Sequence, residues 1–265
     1  MENEYFIETI RAFEKFDEVD ALVLGGSRAA GRADEGSDYD VYVYLNRALD
    51  VAKRRAALAA TCSYLEIDNN YWECEDDCVL NDGTGIELIY RDLKNTDANL
   101  AWTLLGHHAS NGYTTCVADN VLGAKILHDP RGLYRALVEK YSFPYPPELR
   151  KNIVAKNRAL LDGKMPSYSG QIEKAFKRGD LVSVNHRSAE FLASYFDIVF
   201  ALNERYHPGE KRLVELCLKL CPQLPADFEA GVTALLDRRA DADPRPILRR
   251  MIENLDRLIN RLAVF

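Results

Sequence analysis

Every strand-like segment of this chain falls within its first 92 residues, and beyond residue 147 only helical periodicity remains. That division narrows the fold class to α+β: a small mixed sheet with flanking helices, then an all-α bundle. Ala21-Leu22-Val23-Leu24 is an apolar run closed by Gly25-Gly26, which reads as a buried strand. Residues 38–45 and 86–90 read as strands, and 71–75 as a weaker one. Residues 4–19 and 51–64 have helical spacing, and one helical turn capped by Ser27 is expected over 27–31. Helices are expected at 147–162, 168–178, 181–205, 210–220, 225–238 and 245–263, with breaks at Pro208-Gly209, Pro222 and Pro244. The expected domains are 1–120 and 147–265, joined by a Pro-punctuated connection over 121–146.

Composition excludes several classes. The 265 residues are 47% hydrophobic with 28% charged, which excludes collagen, wholesale disorder and a disulfide-stapled mini-protein. A net charge of −7 argues against the nucleic-acid backbone as partner, because its affinity comes largely from Lys and Arg contacts to phosphate. No apolar run approaches a membrane span, so no membrane partner is expected. The opening Met1-Glu2-Asn3-Glu4 lacks the basic start and apolar run of a signal peptide. A cytoplasmic location and six free cysteines are therefore expected. Cys74/Cys78 and Cys217/Cys221 have a C-x3-C spacing, but no second cluster completes a tetrahedral zinc site.

The chemistry is concentrated in Leu24-Gly25-Gly26-Ser27-Arg28 and Ser37-Asp38-Tyr39-Asp40-Val41. Asp38 and Asp40 are two apart on a strand, so both face one way, with Cα atoms roughly 6–7 Å apart. Two carboxylates so placed repel unless a cation lies between them, and Mg²⁺ favours carboxylate and phosphate oxygens. Glycines at the end of the preceding strand let backbone N–H groups approach a phosphate, and Ser27 adds a hydroxyl. Glu87, between Ile86 and Leu88, is an unexpected acid in an apolar strand. On a neighbouring strand it would join Asp38 and Asp40 as metal ligand or as base.

Gly-Gly-Ser, Asp-x-Asp and an apolar-Glu-apolar strand together resemble the nucleotidyltransferase superfamily with the DNA polymerase β-like fold. Within it, the pattern is similar to the bacterial aminoglycoside and lincosamide nucleotidyltransferases and their uncharacterised relatives. The motif region covers about residues 20–92, and residues 195–211 resemble a segment of the uncharacterised members. The resemblance implies that Asp38, Asp40 and Glu87 are catalytic and bind Mg²⁺. It implies that Gly25, Gly26, Ser27 and Arg28, with Lys211 from the helical half, bind the triphosphate of ATP or another NTP; Arg32 is a further candidate. The implied reaction moves NMP to a hydroxyl of a small-molecule acceptor and releases pyrophosphate. The alternatives are nucleotidylation of a protein or tRNA acceptor, and a non-catalytic nucleotide-binding regulator. Several relatives build the site across a dimer, so a homodimer is carried as an expectation.

Other residues have plainer readings. Asp92, Glu75 and Asp77 rival Glu87 but are placed at strand ends or in polar loops. Asp34 and Glu35 read as a solvated loop, or else as acceptor contacts. His107-His108 reads as a helix end, His186/Glu190 as a helix-helix contact, and Trp72 and Trp102 as packing. Some helical domains found beside nucleotidyltransferases are ribonucleases with an Arg five to seven residues before a His; no His here has one.

Overall fold

The structure, a computed structural model, describes residues 3–34 and 36–265. Among them the chain forms two units. The first takes the chain as far as Ala101 and again Asn120–Phe143; the second takes Trp102–Asp119 and Pro144–Phe265.

In the first unit the elements run α1 (Glu4–Phe13), β1 (Val19–Leu24), α2 (Gly26–Ala29), β2 (Tyr39–Leu45), α3 (Val51–Leu58), β3 (Cys62–Asn69), β4 (Glu75–Leu80), β5 (Gly85–Arg91) and α4 (Leu93–Leu100). The chain returns with α5 (Cys116–Gly123), which leads out of the second unit, then β6 (Lys125–His128) and α6 (Leu133–Tyr141). The sheet order is β3-β4-β5-β2-β1-β6. Only β2 and β5 pair in parallel; the other neighbours are antiparallel. One face of the sheet forms the core: Val41 and Val43, Ile86 and Leu88, and Cys78 and Leu80 are buried together with Phe6, Ile10 and Phe13 of α1. The opposite face carries Asp38 and Asp40, Glu87, and Glu75 and Asp77, because side chains alternate along a strand.

Several local expectations need correction. The helix expected to reach residue 64 stops at Leu58, and Cys62 opens β3 instead. Asp50 caps α3 by accepting from the N–H groups of Ala52 and Lys53 at 3.0 and 3.1 Å. Leu65 and Ile67 then alternate with exposed Tyr64, Glu66 and Asp68, a period of two that overrides the Ala-rich helical pattern before it. The strand expected over 71–75 begins at Glu75, where the first pattern ends. Residues 71–74 form the connection from β3, and Trp72 is 90% exposed rather than packed. Trp102 is 47% exposed and stacks on the His108 ring at 4.8 Å. The stretch 121–146, read as a connection, carries β6 and α6.

The second unit is helical: α7 (Pro147–Arg158) with a π-helical turn Ala159–Gly163, α8 (Tyr168–Lys177), α9 (Leu181–Leu202), α10 (Leu213–Leu220), α11 (Phe228–Leu236) and α12 (Arg245–Arg261). No helix among the described residues is long and apolar enough to cross a membrane. From Ala193 to Leu202, α9 is buried on all sides. There Asp197 accepts from the Thr114 N–H at 3.1 Å, the Thr114 hydroxyl at 2.7 Å and Asn157 Nδ2 at 3.0 Å. Asn157 in turn accepts from the Gly112 N–H at 3.0 Å. His207, fully buried, donates its backbone N–H to Thr115 Oγ1 at 2.7 Å.

This polar knot has a testable pH signature. Burial outweighs the three donors and pushes Asp197 up to about 7. Burial pulls His207 down to about 4. Asp197 alone makes the folded state bind the extra proton, so its share of stability is lost as pH rises from about 4 to about 7. His207 acts oppositely, because the unfolded state binds the extra proton between about 4 and 6.5. Asp197→Asn removes only the first contribution. The melting temperature of that variant, relative to the parent, should therefore improve as pH rises from about 4.5 to about 7.5. A difference that does not change with pH would contradict this account.

Candidate active site

The parallel pairing of β2 with β5 decides the site. Its register sets Asp40 level with Glu87 and Tyr39 level with Ile86. Glu87 therefore stands beside Asp40 on the outer face of the sheet, with Asp38 two residues along the same face. Asp38 is exposed, while Asp40 and Glu87 are half-buried. Burial and then the charges of Asp40, Asp77, Glu75 and Asp38 raise the Glu87 carboxyl above its ordinary range.

The turn after β1 closes on this row. The Gly25 N–H donates to the Asp40 carbonyl at 2.8 Å. Gly26 has φ +60°, and a Cβ there would lie 1.7 Å from Asp40 Oδ2. The second glycine is thus fixed by two demands: a left-handed backbone and close contact with the Asp40 carboxylate. α2 begins at Gly26, and its cap is Gly25 without a side-chain bond, so Ser27 is not the cap that was expected. The Ser27 hydroxyl is left to other work. Gly85 serves Asp38 as Gly26 serves Asp40: a Cβ on Gly85 would lie 2.3 Å from Asp38 Oδ1.

Arg28 is engaged with the protein. Its guanidinium donates to the carbonyls of Ser37 and Asp38 and lies 3.9 Å from the Tyr39 ring centre. It holds the entrance to β2, which sets where Asp38 and Asp40 point. Asp34 organises the loop before it: its carboxylate accepts from the Ser37 hydroxyl at 2.9 Å and the Gly36 N–H at 3.2 Å. Glu35 lies outside the described residues. The Arg32 N–H donates to the Ser27 carbonyl at 2.8 Å. Lys211 is exposed, in the turn before α10 of the second unit.

Glu75 lies at a strand end as expected, opening β4, but Asp77 needs a second correction. It is not a loop acid but a member of β4, and the register sets it level with Glu87. The signal was present in Asp76, Cys78 and Leu80, which alternate inward and leave Glu75, Asp77 and Val79 outward. Asp92 is a helix cap, accepting from the Asn95 N–H at 2.7 Å. His107 follows a helical segment in a left-handed turn. His186 is an exposed neighbour of Glu190 within α9, not a contact between helices.

The donors at the site are hard oxygens. Among the described residues no group of three or more His, Cys, Asp or Glu side chains is arranged to hold a metal ion. That covers both C-x3-C pairs: Cys74 is exposed while Cys78 faces the core, and Cys217 and Cys221 are both buried.

Residues 7–77 match the nucleotidyltransferase domain family, a span that holds Gly25–Arg28, Asp38 and Asp40. This part of the chain is a nucleotidyltransferase domain. Glu87 lies beyond the matched span of the nucleotidyltransferase domain and is tied to it by the β2–β5 register. Residues 115–213 match a domain of unknown function, DUF4037. Two solved structures are similar at low level. A nucleotidyltransferase-like protein from Exiguobacterium sibiricum shares 11% identity over 95% of this chain and 72% of its own, with a TM-score of 0.44. An aminoglycoside 6-adenyltransferase from Bacillus subtilis shares 9% identity over 99% of this chain and 89% of its own, with a TM-score of 0.31. Neither likeness adds weight to the family match. No curated protein matches the chain.

Proposed function

We propose that the protein transfers a nucleoside monophosphate from a nucleoside triphosphate, ATP by expectation, to a hydroxyl of a small molecule such as an aminoglycoside- or lincosamide-like acceptor. The observation that carries this reading is the register that puts Glu87 beside Asp40, within a nucleotidyltransferase domain. Mg²⁺ fits the donor set. It is usually held by one or two carboxylates plus substrate phosphates, not by a cage of protein ligands. Asp38 and Asp40 are the pair that would hold it, and Gly26 keeps the face of Asp40 clear of a side chain. When bound, it offsets the charge of the triphosphate and stabilises the leaving pyrophosphate.

The chain's own groups do the rest. Backbone N–H groups of Gly25–Ser27 and the Ser27 hydroxyl would hold the β- and γ-phosphates. Glu87 takes the proton from the acceptor hydroxyl as that oxygen attacks the α-phosphorus. Its raised pKa makes it a stronger proton acceptor than an ordinary carboxylate. The bond from the α-phosphorus to the bridging oxygen breaks, and pyrophosphate leaves. Arg28 is a positioning residue here, acting through β2 on Asp38 and Asp40. A cytoplasmic location belongs to the same proposal, since the reaction draws on a nucleoside triphosphate.

The test is pyrophosphate release with Mg²⁺ and each of ATP, CTP, GTP and UTP against aminoglycosides, lincosamides and simple sugars. Release that requires an acceptor is expected, and Glu87→Gln should lower it by roughly 10²–10⁴. No release with any pair would overturn the small-molecule reading. A band labelled by radioactive ATP in whole lysate would then point to a protein or tRNA acceptor.

A further inference from the structure

Asp38, Asp40 and Tyr42 leave the outer face of the sheet in succession, and each stands against a glycine. Asp38 meets Gly85, Asp40 meets Gly26, and Tyr42 meets Gly25. A Cβ on Gly25 would lie 2.3 Å from Tyr42 Cε2 and 3.3 Å from Asn120 Nδ2. Gly25 itself has φ −107°, an extended backbone that any residue adopts. Conformation therefore does not demand glycine there; contact with the tyrosine ring does. Nucleotidyl transfer uses the N–H groups of this turn but assigns nothing to the ring packed against it.

Tyr42 is buried and is fixed by two further side chains. Asn120 Nδ2 donates to its hydroxyl at 2.9 Å. The Arg91 guanidinium carbon lies 4.1 Å from its ring centre, within cation–π range. Arg91 closes the set. Its Nη1 donates to Asn120 Oδ1 at 3.3 Å, and its Nε and Nη2 donate to the Glu73 carboxylate at 2.9 and 2.6 Å. Both ends of the Asn120 amide are thus used, which fixes its orientation. The guanidinium cannot leave the ring without giving up its bonds to Glu73. All four residues belong to the first unit.

We infer that Tyr42, kept in place by Asn120 and Arg91, is a positioning residue for the triphosphate: its ring sets where the N–H groups of Gly25–Ser27 stand relative to Asp40. The inference rests on the transfer reading above and adds to it. Tyr42 and Asp40 are two residues apart on one strand, roughly 7 Å. The two glycines of the turn are therefore registered against a single rigid element, and the Gly25 N–H is tied to it again through the Asp40 carbonyl. The turn that would hold the phosphates is thereby kept at a fixed place relative to the Asp40 carboxylate. A leucine at position 42 leaves the flat contact with Gly25 and the bond from Asn120 unmade. The turn is then free to shift, and a misplacement of about 1 Å can cost about 10²-fold.

The test is calorimetric binding of ATP, CTP, GTP and UTP with Mg²⁺ to the full chain, with melting temperatures measured on every variant. Tyr42→Leu should weaken binding of the nucleotide the parent prefers by about 10–100-fold. Tyr42→Phe keeps the ring and should bind within about threefold of the parent. Tyr44→Leu is the structural control. This fully buried tyrosine lies two residues further along β2, and its ring packs on Tyr134 at 5.0 Å. Its loss should lower the melting temperature at least as much and leave nucleotide affinity unchanged. In turnover, Tyr42→Leu should raise KM for the nucleotide and not for the acceptor. Gly25→Ala should also weaken binding. Gly25→Ala/Tyr42→Leu should bind more tightly than the two single losses multiplied, because the ring that the new methyl strikes is gone. Asn120→Ala releases the ring without removing it and should weaken binding about fivefold or more; it reads the contact where Tyr42→Leu does not fold. Parent-like affinity in Tyr42→Leu or in Asn120→Ala overturns the inference, as do losses that multiply in the double variant. Nucleotide binding without pyrophosphate release refutes only the transfer reading. Release by the parent with unchanged affinity in Tyr42→Leu refutes only the positioning role. A parent that binds none of the four nucleotides refutes both.

Discussion

Gly26→Ala is expected to bring nucleotidyl transfer to background while leaving the protein folded. The new Cβ would lie 1.7 Å from Asp40 Oδ2 and 2.6 Å from its Cγ, so the carboxylate must move. The backbone at φ +60° also disfavours any side chain, which costs on the order of 1–3 kcal/mol. The two costs fall on different observables. Backbone strain lowers stability modestly. On the proposed mechanism, displacing Asp40 would remove an interaction worth several kcal/mol in the transition state, on the order of 10⁴-fold in rate. Asp40→Asn should match the kinetic loss without the strain. Pyrophosphate release and thermal melting, measured on both variants, check this. A Gly26→Ala protein that retains most of its turnover would remove Asp40 from the reacting centre.

Asp76→Ala should cost about 3–5 kcal/mol of stability in the first unit. Asp76 is fully buried and accepts from Arg54 Nη1 at 2.7 Å, the Asp68 N–H at 2.8 Å and the Tyr90 hydroxyl at 2.6 Å. Arg54 is itself 4% exposed, and its guanidinium carbon lies 4.6 Å from the Tyr90 ring centre. Removing the carboxylate leaves a buried cation with only the partly exposed Asp68 for company. Urea unfolding measures the loss. Arg54→Met combined with Asp76→Leu should cost less than the two single changes summed, because no charge is then stranded. A loss below about 1 kcal/mol for Asp76→Ala would show that the pair contributes little to the fold.

The same knot explains why β4 was hard to read. Glu75-Asp76-Asp77 is a poor strand sequence by propensity. Asp76 is tolerated in the core because Arg54 of α3 and Tyr90 of β5 reach it, and neither is adjacent in sequence. With β4 unread, Asp77 could be placed only as a polar acid near a turn. Its position beside Glu87 depends on an antiparallel register that local pattern does not carry. β6 was missed for a related reason. It is four residues long, and its pairing is with β1, about a hundred residues earlier in the chain.

Sequence alone determined what depends on neighbours along the chain. Helical period, prolines and caps located the six helices beyond residue 147, because each face repeats every three to four residues. Alternation put Asp38 and Asp40 on one face, and the Gly25-Gly26 pair marked a turn that admits no side chain. Tertiary structure decided which strands became neighbours. The parallel pairing of β2 with β5 makes Glu87 a partner of Asp40, and β4 then adds Asp77 and Glu75 to the same face. Those pairings depend on hydrogen bonds and burial between segments tens of residues apart, and no local propensity encodes them.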